Sequence, residues 1–289
     1  MEGLLLVGHG TRSAAGRREL LSLGELVAAA VPDVAVETGF LELCDPPAGI
    51  ALDRLVTRGA RRIAVVPLVL AAAGHAKCDV PAVVLDARAR HARVMLCYGR
   101  PLGVDHAVLS LARQRVEAVQ GRGLPLLVLA RGASEPDANA DACKMARLLA
   151  EQTGAPLVLT GFSGLTWPLV PDALDQCRRL GADRLVTFAW FLCTGVLVER
   201  IRADCAAFAG RSGVQVLHAG YLGPDPQLVP TVLERYGEAL RGEVRMNCDV
   251  CTYRRPFPGF EHHVGQPLGV GHSHLATAHR GQASSGAPQ

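Results

Sequence analysis

The chain has 289 residues, 49% of them hydrophobic and only 4% aromatic, so its core must rest on Leu, Val and Ala, as in buried parallel sheets and the helices covering them. With 30 basic and 27 acidic residues the net charge is +3, too balanced for nucleic-acid binding through bulk charge. The longest apolar run, Ile63–Gly74, is too short to span a bilayer, and Leu4–Val7 is too short for the apolar region of a signal peptide. Nine cysteines, odd in number and mostly scattered through apolar segments, fit a cytoplasmic chain with reduced thiols.

In chain order, the run Leu4-Leu5-Leu6-Val7 reads as a buried strand over 3–8 that closes on Gly8-His9-Gly10-Thr11-Arg12 and leads into a helix over 12–31. A strand over 34–41 follows, ending at Phe40-Leu41-Glu42, then a helix over 46–59 opened by Asp45 and Pro46. The strand over 62–70 runs through Ala71-Ala72-Ala73-Gly74 to a second His, His75, and a helix over 76–90. A strand over 92–98 and a helix over 104–121 close this half. Gln120–Pro125, with Gly121 and Gly123, reads as a linker.

The same order then recurs. Strands fall at 125–130, 156–162, 184–192 and 214–218, and helices at 138–153, 172–181, 195–209 and 226–241. Ile63–Leu70 parallels Leu185–Leu192 at an offset of 122 residues (185 minus 63), and the same offset relates Phe40 to Phe162. The fold class is therefore α/β: two similar domains, each a parallel sheet flanked by helices, related by internal duplication. The expected domains are 1–121, 122–241, and a Cys/His-rich tail over 242–289 that shows no periodicity and is expected to be flexible.

In an open parallel sheet the carboxyl ends of the strands line the ligand crevice, so His9 and His75 can face one cavity. Imidazole exchanges protons near neutral pH and binds first-row metals; a carboxylate such as Glu42 beside it offsets a metal's charge and favours a basic ring. At the repeat offset His9 becomes Arg131, Glu42 becomes Gly164 and His75 becomes Leu197, so only the first half carries the acid–base groups of the candidate site. Each of these residues also has a plainer structural reading: a hydrogen-bonded His at the end of a strand, and a Glu in the turn before a helix.

Gly8-His9-Gly10-Thr11-Arg12, Phe40-Leu41-Glu42 with Pro46, and Val66-Pro67-Leu68 through Gly74-His75 with Asp79 and Pro81, in this order, resemble the class II tetrapyrrole chelatases, specifically the long two-domain sirohydrochlorin chelatases of the CbiX/SirB type. The resemblance spans about residues 3–280. It implies insertion of a divalent metal, Co2+ foremost with Fe2+ or Ni2+ as alternatives, into sirohydrochlorin with loss of two pyrrole protons, in cobalamin or siroheme biosynthesis. His9, Glu42 and His75 match the family's catalytic positions, with His9 and His75 meeting the substrate metal. Sirohydrochlorin is a polycarboxylate, which makes Arg12, Lys77 and Arg131 candidate substrate-binding cations. The fused second domain takes the place of a partner subunit, leaving a monomer with a pseudo-twofold, or a weak homodimer through the tail.

The tail carries Met246-Asn247-Cys248-Asp249-Val250-Cys251 and then His262, His263, His272 and His274. The Cys pair and the His make Cys248, Cys251, His262, His263, His272 and His274 candidates for zinc or for an iron–sulfur cluster, the latter implied by the resemblance to long cobaltochelatases. Two other functions remain open on the sequence. One is a ferrochelatase acting on a porphyrin; the other is a non-catalytic cobalt or nickel storage or delivery protein built on the tail. Neither a nucleic acid nor a membrane is an expected partner.

Overall fold

In the computed structural model, which describes residues 1–246, 250–256 and 258–265, the run Leu4-Leu5-Leu6-Val7 lies within β1 (Glu2–Gly8), buried from Gly3 onward. β1 pairs in parallel with β2 (Ala35–Phe40) on one side and β3 (Arg62–Pro67) on the other, and β3 pairs with β4 (Met95–Tyr98). The order is β2-β1-β3-β4. The second sheet repeats it as β6-β5-β7-β8, with β5 (Leu126–Ala130), β6 (Val158–Phe162), β7 (Arg184–Ala189) and β8 (Gln215–His218). In register, Gly8 faces Phe40 and Val7 faces Pro67, so the chain leaves β2, β1 and β3 at one rim, just before Leu41, His9 and Leu68.

Strand residues alternate between two faces. Leu5, Val7, Ile63 and Val65 join the cluster formed with α2 (Ala48–Thr57) and α3 (Val80–Arg90). Leu127, Leu129 and Leu185 do the same with α6 (Val170–Arg179) and α7 (Val196–Ser212). The opposite faces, through Leu4, Leu6, Val66, Leu126, Val128 and Phe188, share one core with α1 (Ala14–Ala30), α4 (His106–Ala118), α5 (Pro136–Thr153) and α8 (Val229–Arg241). A single apolar core thus lies between the sheets, which ties the position of one rim to the other.

The final helices are exchanged. α4, from the first repeat, packs on β7 and α5, while α8, from the second, packs on β3, β4 and α1. Division of the sequence at residue 121 separates the repeats along the chain, but in space each repeat covers the other's sheet. A buried polar network holds the exchange: the Arg235 guanidinium of α8, 1% exposed, pairs with Asp105 at 3.3 Å and Glu238 at 2.6 Å. Asp105 also caps α4 by accepting from the Val108 amide at 3.0 Å.

Two expectations need correction. The strands expected over 62–70 and 184–192 end at Pro67 and Ala189, beyond which the chain turns along the rim. The helix expected over 76–90 starts as a π-helical turn, His75–Asp79, and becomes α-helical only from Val80. Of the described tail residues Cys251, Thr252 and His263 are buried, at 8%, 1% and 8% exposure, while Arg254, Arg255, Glu261 and His262 are exposed. No helix among the described residues is long and apolar enough to cross a membrane.

Candidate active site

Gly10 allows the first site loop to form. Its φ is +101°, and a Cβ there would stand 1.8 Å from the Glu42 carbonyl oxygen. The close approach is pinned by the Glu42 amide donating to His9 O at 3.1 Å and the Leu41 amide donating to Gly8 O at 3.0 Å. Cys44 adds a further tie, its thiol donating to Thr11 O at 3.0 Å. The second repeat builds the same turn at Gly132, where a Cβ would stand 2.1 Å from Gly164 O, but with Arg131 in place of the imidazole.

The two rings meet edge to face. The His9 and His75 centroids are 4.2 Å apart with planes at 90°. His9 Nδ1 lies 3.0 Å from Gly10 O, and His75 Nδ1 lies 2.5 Å from Asp79 Oδ2. Both partners are acceptors, which favours a proton on each Nδ1; the tautomer with that proton alone keeps its lone pair on Nε2. His9 Nε2 is 3.5 Å from Glu42 Oε1. Lone pairs and a carboxylate gathered this way favour whatever positive species enters, a proton or a divalent cation. Burial pushes the His9 imidazole below its ordinary value, and His75 and Arg131 push the same way, against the Gly10 hydrogen bond and Glu42. His9 therefore stays neutral, and able to bind metal or accept a proton, to lower pH than an exposed imidazole.

The π turn accounts for the geometry around His75. Single π turns are uncommon and cluster at functional sites. This one aligns His75 with Asp79 four residues on, as a carboxylate that orients a metal-binding imidazole would require. Asp79 has a place in the sequence motif but no role readable from it; the His-x-x-x-Asp spacing is the signal that marks it.

Of the candidate cations, Arg12 and Arg131 are exposed, and Arg131 is close enough to act on the charge of His9. Lys77 is placed differently from the expectation for a substrate-binding residue. Its ammonium donates to both oxygens of Asp137 at 2.8 and 2.7 Å, with the two side chains 5% and 4% exposed. It sits two residues from His75 and points the other way, because residues two apart on a helical turn lie on opposite sides. Among the tail candidates, Cys251 is buried, and His262 and His263 stand with ring centroids 4.4 Å apart, His263 stacked on Tyr253. Cys248, His272 and His274 lie outside the described residues. Among the described residues no group of three or more His, Cys, Asp or Glu side chains is placed to hold a metal ion.

A duplicated parallel α/β scaffold sets two imidazoles and a carboxylate at the rim of one sheet, side chains of the kind that exchange protons and bind divalent cations. The CbiX family model matches residues 3–119 and again residues 125–239, and the chain belongs to that family. It is 38% identical over 263 residues to the sirohydrochlorin cobaltochelatase of Priestia megaterium, covering 88% of this chain and 85% of that protein. It is 28% identical over 260 residues to the sirohydrochlorin ferrochelatase of Bacillus subtilis (strain 168), covering 87% and 97%. Among solved structures it is similar to SirB from Bacillus subtilis with Fe3+, at a TM-score of 0.75 and 27% identity over 84% of this chain and 97% of that one. SirB from Bacillus subtilis subspecies spizizenii in complex with cobalt matches at a TM-score of 0.72 and 27% identity, with the same coverage.

Proposed function

We propose that this chain inserts a divalent metal ion into sirohydrochlorin, releasing two pyrrole protons, with His9, Glu42 and His75 as the reacting groups. The observation that carries this reading is the edge-to-face His9–His75 pair, with Glu42 beside His9. The metal is a substrate and must be given up, so few and neutral protein ligands suit the task better than a closed cage. As the metal leaves for the macrocycle, the same Nε2 lone pairs accept the pyrrole protons, and Glu42 stabilises the imidazolium that results. The higher identity to a cobaltochelatase than to a ferrochelatase favours cobalt over iron. Exposed Arg12 and Arg131 favour a polycarboxylate over an apolar porphyrin.

The second half serves as the built-in partner, supplying Arg131 and the opposite wall while keeping no acid–base set of its own; the shared core supports a chain that acts as a monomer. In the tail, the spacing of Cys248 and Cys251 and the His that follow them are read as a zinc or iron–sulfur site distinct from His9, Glu42 and His75, and metal analysis after anaerobic purification tests it. The catalytic reading is tested by following the absorption of sirohydrochlorin as Co2+, Fe2+ or Ni2+ is added with purified protein. Acceleration over the protein-free rate is the expected result. A protein that binds Co2+ but leaves that rate unchanged is a store, not an enzyme.

A further inference from the structure

Lys77 and Asp137 form a buried pair between the two halves. Lys77 is the middle residue of the π turn that carries His75 and Asp79, and Asp137 lies in the first turn of α5 in the second half. The pair is fully formed, with one ammonium on both carboxylate oxygens and both side chains at or below 5% exposure. A buried pair is a poor source of net stability, since desolvation offsets most of the Coulomb gain, but it sets geometry strongly. At the repeat offset Lys77 corresponds to Glu199 and Asp137 to Ala15, so the second half's counterpart loop has no such pair. That loop is held instead by Glu19 of α1, which accepts from the Thr194 amide at 2.7 Å and the Tyr221 hydroxyl at 2.6 Å. Each half's first helix thus grips the other half's rim loop, and only the grip on the His75 loop is an ion pair among the described residues. Beside it the Tyr253 hydroxyl of the tail donates to Glu135, the cap residue of α5, at 3.2 Å and also meets Cys78 of the same π turn.

We infer that Lys77 is a positioning residue for metal insertion: held by Asp137, it fixes the π turn so that His75, paired with Asp79, faces His9, and it does not itself contact the substrate. The inference rests on His75 being a reacting group, as proposed above. It separates from direct substrate binding by its kinetic signature. A cation that holds substrate carboxylates acts on KM; one that aims His75 acts on kcat and on metal binding by the protein alone.

The test compares the full-length chain with Lys77→Met, with the double variant Lys77→Met/Asp137→Leu, and with the charge exchange Lys77→Asp/Asp137→Lys. The double variant guards against misfolding, because replacing both partners of a buried pair by apolar residues is often neutral for stability. Cobalt insertion is read as kcat and KM for sirohydrochlorin, and Co2+ binding without tetrapyrrole is read by its visible absorption. For the folded single and double variants we expect kcat to fall by about tenfold or more, KM to stay within about twofold, and Co2+ affinity to weaken. The exchanged pair should recover part of both losses. A raised KM with unchanged kcat, or wild-type kcat and Co2+ affinity in the folded double variant, overturns the inference. Absence of insertion by the unmodified chain would instead count against the proposed function, and the Co2+ titration would still decide the positioning role.

Discussion

His75 Nδ1 and Asp79 Oδ2 lie 2.5 Å apart across one π turn, which fixes both the tautomer and the direction of the imidazole. Such carboxylate–imidazole partners matter nearly as much as the ligand itself, and their loss typically costs about 10–100-fold in affinity or activity. Asp79→Ala is therefore expected to lower cobalt insertion by at least about tenfold while leaving the fold intact. Steady-state kinetics beside a thermal melt check it; a wild-type rate would remove the orienting role.

The pH profile should follow His9. Its proton affinity is depressed from the ordinary value of 6.5, first by burial and then by His75 and Arg131, so insertion should persist to pH below 6.5 before its acid limb falls. Removing the positive charge in Arg131→Ala makes the imidazolium easier to form, which moves that limb to higher pH. The same sign governs stability. The unfolded chain takes up the His9 proton first, so this contribution is present above 6.5 and is lost as pH falls through the depressed folded value. A limb that shifts downward in Arg131→Ala would contradict the electrostatics.

Gly10→Ala should be among the costlier single changes in the first loop. It combines a left-handed backbone with a Cβ placed 1.8 Å from Glu42 O, so backbone must move and His9 must part from Glu42. We expect a loss of at least ~2 kcal/mol of stability together with most of the activity. Denaturant unfolding monitored in parallel with turnover measures both.

β1, β3 and β5 could be read in the sequence because they are short aliphatic runs near Gly and Pro, and the duplication could be read because Ile63–Leu70 and Leu185–Leu192 keep register without gaps. His9, Glu42 and His75 stood out because they end those runs and vanish from the second copy. The exchange of α4 and α8 was not legible: both helices carry an apolar face, and nothing local says which sheet that face will cover. The π turn was hidden because five residues are too few to show a period. Lys77 read as a substrate cation from its closeness to His75 in the chain, whereas its partner Asp137 lies sixty positions further on and meets it only through the second half. The tail lacks periodicity, yet Cys251, Thr252 and His263 are buried and the Tyr253 hydroxyl reaches Glu135 at the start of α5.

Tyr253→Phe removes only the hydroxyl that joins the tail to Glu135 and Cys78. One such hydrogen bond contributes about 1 kcal/mol, so the melt should shift slightly and protease should cut the tail faster. Equal protection of the tail in both proteins would show that this contact does not hold it.

The most direct measurement is the rate of cobalt insertion into sirohydrochlorin by the wild-type chain, His9→Ala and His75→Ala, with the number of tetrapyrroles bound per chain counted in the same samples. One tetrapyrrole per chain, and an insertion rate at least about tenfold lower in each variant, is the expected result. Two equivalent binding sites per chain, or near-wild-type turnover in both variants, would contradict a single active site built on the first half's two imidazoles.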